Sequence, residues 1–179
     1  ADDHPFRSHP KVLATPHLGA STVEAQEAVA VNACASLLRY LRGEGLESAV
    51  NAGGLDLELN QRQRTYVELA TRMILLLGTV ANIQNTKEVH VELCGKATAG
   101  KGDTIAQYAL VALLQQCCDE PVSIINASAI AGELGVSTTH DVGPTDAIDA
   151  ISIRTKGEHE HTIEGTVHAD GMPRITNIE

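Results

Sequence analysis

Val89-His90-Val91-Glu92-Leu93-Cys94 is followed by Gly95-Lys96-Ala97-Thr98-Ala99-Gly100-Lys101-Gly102, then by apolar residues at Ala106, Ala109, Leu110, Leu113, Leu114 and Cys117. Alternation of apolar and polar side chains over the first six residues is the pattern of a strand with one buried face. The spacing after Gly102 is that of a helix, opened by Asp103 or Thr104. This strand, loop and helix set the plan for the rest.

Upstream, Tyr66, Leu69, Ala70, Met73, Ile74, Leu77 and Ala81 predict a helix beginning near Asn60, and Leu75 and Leu76 broaden its apolar face enough to suggest burial on two sides. Downstream, Asn126 is expected to cap a shorter helix that runs through Leu134, with Gly135 as its left-handed stop. Beyond it come strand-like pieces at Val136 to Asp141, Ile148 to Thr155 and Thr162 to His168, with Arg174 to Ile178 as a further candidate. Turns at Lys156-Gly157-Glu158 and Asp170-Gly171 point to antiparallel pairing. The expected fold class is α+β, an antiparallel sheet with helices on one face.

Before this domain lies a segment of another kind. Residues 1–10 are polar and punctuated by Pro5 and Pro10, which favours loop. Val12-Leu13-Ala14 reads as extended and leads into Thr15-Pro16-His17-Leu18-Gly19-Ala20-Ser21-Thr22. Ser21 or Thr22 can cap a long helix striped by Ala30, Cys34, Leu37, Leu38 and Leu41 and ended by Gly43 and Gly45. Glu47 to Leu59 reads as a linker. The expected division is 1–54 and 55–179.

Composition excludes several classes. A chain of 179 residues with 43% hydrophobic and 20% charged residues folds as a soluble globule without staples. With one Phe, three Tyr and no Trp, its core must come from Leu, Ile, Val and Ala. A net charge of -10 and the lack of a basic patch argue against nucleic acid. No apolar run reaches the roughly 18 residues of a membrane span, and the start lacks the regions of a signal peptide. Cys34, Cys94, Cys117 and Cys118 fit no metal spacing, so buried free thiols in a cytoplasmic setting are expected. The start at Ala1-Asp2-Asp3, without methionine, suggests processing or a cut chain.

The Thr15 to Thr22 segment resembles the catalytic-histidine segment of the D-2-hydroxyacid dehydrogenases. The remainder of the chain is similar to their 3-phosphoglycerate-oxidising branch: Val50-Asn51-Ala52 after the helix, Gly95 after the strand, and Ile124-Ile125-Asn126-Ala127 before Gly135-Val136 look like its intervening, allosteric substrate-binding domain. The resemblance implies NAD-dependent oxidation of 3-phosphoglycerate to 3-phosphohydroxypyruvate, the entry to serine biosynthesis, in a cytoplasmic homo-oligomer. His17 would take the proton of the substrate hydroxyl, and Gly19 would let the backbone approach the coenzyme. The acid that orients the histidine, the arginine clamp and the dinucleotide loop have no candidates here, and an ACT domain would come after the chain's end. A carboxy-proximal fragment, inactive alone and serving regulation or assembly, is the expectation.

Other motifs are weaker. Gly43-Glu44-Gly45-Leu46-Glu47-Ser48 has serine where a dinucleotide fingerprint needs glycine and follows a helix, so it is rejected as a cofactor loop. Gly95 to Lys101 fits Gly-x-x-x-x-Gly-Lys between strand and helix, but Gly102 stands where magnesium binding needs Ser or Thr. That leaves anion binding at the helix start by Lys96 or Lys101, and a small-anion sensor built on Lys101 is the alternative function. The resemblance points to Arg154 and Lys156 for an anionic effector. His159 and His161 on a solvated turn give no metal site, and Asp141, Asp146 and Asp149 read as a solvated acidic face.

Overall fold

The computed structural model describes residue 6 and residues 9–13, 15–42 and 57–179. The chain divides into two compact units, Ala1–Ser48 and Ala49–Glu179. The linker and the 54/55 boundary expected from sequence, like Gly43 and Gly45, lie outside the described residues, apart from Leu57 to Leu59.

In the first unit, α1 spans Val23–Leu41, and Thr22 is its N-cap, accepting from the Ala25 N–H at 3.2 Å. None of its residues is buried, and Leu37, Leu38 and Leu41 are all exposed. The stretch at Val12 and Leu13 forms no strand, because no second strand pairs with it among the described residues.

The second unit opens with α2, Gln61–Val80, fastened by a reciprocal cap: Asn60 accepts from the Gln63 N–H at 2.9 Å, and the Gln63 side chain accepts from the Asn60 N–H at 3.0 Å. Its core face is Tyr66, Leu69, Ala70, Met73, Ile74 and Leu77. Each large side chain buried there stabilises the fold by about 1.5–3 kcal/mol. Leu75 remains 42% exposed, whereas Leu76 is half-buried against the core, and the helix packs both on the sheet and on the helix at Gly102–Cys117. Tyr66 enters the core because its hydroxyl meets the Val167 N–H at 3.3 Å, which removes the cost of burying it.

Strand β1, Glu88–Cys94, leads to α3, Gly102–Cys117, then α4, Ala127–Leu134, and β2, Ser137–Val142. Strands β3, Ala150–Lys156, β4, Glu160–Val167, and β5, Pro173–Ile178, complete the chain as a meander. The sheet order is β2-β1-β3-β4-β5. Three of its four pairings are antiparallel, and β1 with β2 is parallel, since a crossover through α3 and α4 returns the chain in the same direction. Val89, Val91, Leu93, Ile151, Ile153 and Ile163 point to the helices and are buried. The fold is α+β, a mostly antiparallel sheet under α2 and α3, with α4 packed on α3.

Two helix starts differ from expectation. α3 begins at Gly102 with Lys101 at the N-cap position and no side-chain capping hydrogen bond. Asn126 stands at the N-cap of α4 but turns backward, accepting from the Ser123 N–H at 2.7 Å and donating to the Pro121 carbonyl at 2.9 Å. Gly135 is left-handed, at φ 66. The free thiols are also not buried: Cys34 and Cys117 are exposed, and Cys94 and Cys118 intermediate.

Candidate functional site: a cavity at the sheet end and a charged open face

The end of the sheet where β1 and β4 finish carries a cavity of about 660 Å³, lined by Arg62, Lys96, Asp146, Ile148, Asp149 and His168 among others. Asp149 organises it. Its carboxylate accepts from Arg62 Nη2 at 2.9 Å and from the Ala97 N–H at 3.0 Å, and its carbonyl accepts from the Thr166 hydroxyl. Three segments therefore converge on one residue that had read as part of a solvated acidic face. No periodicity marks it, since its partners are 87, 52 and 17 residues away.

Gly95 completes this corner. It adopts φ +88, and a Cβ there would come within 2.1 Å of Asp149 Oδ1 and 2.6 Å of Asp149 Cα. Only glycine allows both the left-handed backbone and that approach.

At the opposite end, Glu88, His90, Asp141, Arg154, Lys156 and Glu160 line a second cavity of about 320 Å³. Arg154 Nε lies 3.3 Å from Glu160, His90 Nε2 lies 3.5 Å from Asp141, and His90 Nδ1 is 2.9 Å from the Thr139 hydroxyl. The four basic residues expected to serve an anion are thus split. Arg154 and Lys156 share this cavity, Lys96 lines the other, and Lys101 donates from Nζ to the Glu58 carbonyl at 2.8 Å.

The start of α3 is crowded by an imidazole. A Cβ at Gly102 would lie 2.3 Å from His140 Cδ2, and His140 Nδ1 sits 3.6 Å from Asp103. Glycine at this position serves the approach of β2 to α3, a reason the loop motif does not reveal.

His159 and His161 stand with ring centroids 6.4 Å apart at 60°. Among the described residues no three His, Cys, Asp or Glu side chains group to hold a metal, and no helix is long and apolar enough to cross a membrane. In the first unit, His17 is exposed and makes no hydrogen bond or ion pair among the described residues, and a Cβ at Gly19 would meet nothing within 4 Å. The Cys117 thiol and the Asp170 carboxyl titrate away from their ordinary values. Partial desolvation, and then neighbouring Cys118, push the thiol of the otherwise exposed Cys117 up, whereas the Met172 N–H, with Arg174 second among the favourable causes, holds Asp170 down.

These elements define a two-layer α+β domain with helices over one sheet face and charged clefts at both strand ends. The family is equally plain: residues 62–179 match the model of the D-3-phosphoglycerate dehydrogenase intervening domain, and the chain belongs to that family. Over 97% of its length it is 32% identical to D-3-phosphoglycerate dehydrogenase of Synechocystis sp., covering 32% of that protein. It is 29% identical to D-3-phosphoglycerate dehydrogenase 3, chloroplastic, of Arabidopsis thaliana over 98% of the chain and 33% of the relative. With the Bacillus subtilis D-3-phosphoglycerate dehydrogenase it shares 27% identity over 98% of the chain and 34% of the relative. The chain spans about a third of the length of these relatives.

Proposed function

We propose that this chain is the part of a D-3-phosphoglycerate dehydrogenase that carries the catalytic histidine segment, at 1–54, and the intervening domain, at 55–179. The observation that carries the reading is that similarity to named D-3-phosphoglycerate dehydrogenases runs through both units, not the intervening domain alone. The whole enzyme oxidises 3-phosphoglycerate to 3-phosphohydroxypyruvate in the cytoplasm, at the entry to serine biosynthesis. NAD, held by parts outside this chain, supplies the hydride acceptor. His17 takes the proton of the substrate hydroxyl, a task suited to an imidazole near neutral pH, and Gly19 keeps the backbone beside it open.

By this reading the chain alone is inactive, because an exposed imidazole without an orienting acid or a substrate clamp gains nothing from proximity. Purified chain given NAD and 3-phosphoglycerate should form no NADH. The longer protein should, and His17→Asn in it should lower kcat by about 100-fold or more. NADH formation by the chain alone overturns the inactivity, and full activity in the His17→Asn protein overturns the role of His17.

The intervening domain is assigned to effector response and to assembly of a homo-oligomer. A second reading, a small-anion-binding regulatory domain, is favoured by Lys96, which lines the larger cavity beside Arg62 and has no carboxylate partner among the described residues. Arg154, Lys156 and Lys101 are the other proposed anion contacts. Calorimetric titration with phosphate and with 3-phosphoglycerate separates the candidates. Saturable binding lost in Lys96→Ala or Lys101→Ala places the anion at the β1–α3 loop, and loss only in Arg154→Ala places it at the hairpin end.

A further inference from the structure

Strand register sorts the sheet face turned away from α2 and α3 into rows that cross the strands. His90 on β1 lies opposite Thr139 on β2 and Arg154 on β3, and Arg154 lies opposite Thr162 on β4. Two residues along β1, Glu92 lies opposite Asp141 and Ser152, and Ser152 lies opposite Glu164. The residues between these rows, Val91, Ile153 and Ile163, are buried under the helices, so alternation places both rows on the open face.

The two rows have opposite charge. The first presents Arg154, with His90 beside it, and the second presents Glu92 and Glu164 on either side of Ser152, with Asp141 beyond Glu92 and within 3.5 Å of His90; a third row, Glu88, Lys156 and Glu160, lies on the other side of Arg154. Glu92 and Glu164 make no hydrogen bond or ion pair among the described residues. Arg154 is engaged by Glu160 through Nε only, so both terminal nitrogens of its guanidinium remain able to donate. Beyond the second row, at the strand ends, the face carries small side chains, Cys94, Ala150 and Thr166, all half-buried.

We propose that this open face is a self-complementary docking surface for a second copy of the chain, with Arg154 of each copy seated over Ser152 and between Glu92 and Glu164 of the other. The inference rests on the assembly role proposed for the intervening domain and names the surface that performs it. Two sheets stacked face to face are related by a twofold axis in the plane between them. An axis along the strands lays acidic row on acidic row, which like-charge repulsion opposes. An axis across the strands, between Ser152 and Arg154, reverses the rows and sets cation on anion. Strands about 4.8 Å apart place Glu92 and Glu164 on strands about 10 Å apart, and sheets stack about 10 Å apart, so a guanidinium can reach in and donate to both.

A face of five short strands covers about 500 Å² per copy, so about 1,000 Å² in total, which sits at the weak end of specific interfaces. Equilibrium sedimentation of the full chain up to about 1 mM should show a reversible dimer that weakens with added salt. Arg154→Glu should raise its Kd at least tenfold, and the double variant Glu92→Lys/Glu164→Lys should do the same. An equimolar mixture of these two variants should dimerise as the parent does, because every mixed contact again pairs opposite charges. Circular dichroism confirms that each variant keeps its fold. A monomer at all concentrations overturns both this surface and the assembly role of the chain. A dimer unmoved by either variant, or not restored by mixing, overturns this surface and leaves the assembly role standing.

Discussion

Arg62 Nη2 lies 2.9 Å from Asp149 Oδ2, joining the first turn of α2 to the approach to β3. The pair is asymmetric: the Arg62 side chain is 48% exposed and that of Asp149 20%, and Asp149 also accepts from the Ala97 N–H. Asp149→Ala therefore loses both the ion pair and the bond from the Ala97 N–H, whereas Arg62→Ala loses the ion pair, which solvent already screens, and a longer bond of 3.4 Å to the Val167 carbonyl. Urea unfolding should show a loss of about 1–2 kcal/mol for Asp149→Ala and about 0.5 kcal/mol for Arg62→Ala. Equal losses would refute a central place for the carboxylate.

Gly95 and Gly100 share a left-handed backbone, at φ 88 and 71, but differ in surroundings. Nothing lies within 4 Å of a Cβ at Gly100, whereas one at Gly95 collides with the Asp149 backbone. Gly100→Ala should cost about 1–2 kcal/mol from conformation alone, and Gly95→Ala about 3 kcal/mol or more, or prevent folding. Thermal unfolding midpoints give the order, and a smaller loss at Gly95 would contradict the packing.

Gly102 and His140 should couple. Gly102→Ala pushes the imidazole aside, and His140→Ala removes the obstacle, so the double variant should be more stable than the sum of the two losses by about 1 kcal/mol. Additive losses in a double-mutant cycle would show that the ring moves freely.

The Cys117 thiol, raised chiefly by burial and secondly by Cys118, stays protonated at pH values where an ordinary thiol has begun to ionise. Its alkylation by iodoacetamide should rise only at higher pH than that of a free cysteine, and Cys118→Ser should lower the midpoint only slightly. The stability linked to this group is complete below the unfolded-state pKa and lost as pH rises through the folded one. A midpoint at or below the ordinary thiol value would contradict the partial desolvation.

Asp170 titrates in the other direction. Its carboxylate accepts from the Met172 N–H at 2.9 Å and from Arg174 Nη2 at 3.0 Å, and the backbone bond is the larger cause of its lowered pKa. Stability linked to the turn is present above the unfolded-state carboxylate pKa and lost as pH falls through the lower folded value. In an NMR titration Arg174→Ala should leave most of the depression in place. Its disappearance would make the ion pair the cause.

The local elements were readable because each side chain's partner in the pattern is a near neighbour. The alternation at Val89 to Cys94 and the heptad-like stripe from Tyr66 to Leu77 each report one buried face. Where a residue's partner is distant, the local pattern misled. Asn126 has the composition of a helix cap, yet it bonds backward to Ser123 and Pro121, and Leu75 extends an apolar stripe that tertiary packing leaves in water. The candidate sites divide in the same way. His17 and Gly19 stood out through a contiguous string, whereas the corner made by Arg62, Gly95 and Asp149 has no sequence signal beyond one glycine after a strand.

The order of elements, the face each buries and the turns that stop them arise from propensity and period, which act over a few residues. The parallel pairing of β1 with β2, the residues that converge on Asp149 and the placing of Arg154 one row from Glu92 and Glu164 were decided by the assembled sheet. Register and crossover are contacts between segments tens of residues apart, and a chain's local preferences hold no record of which of its strands will lie side by side.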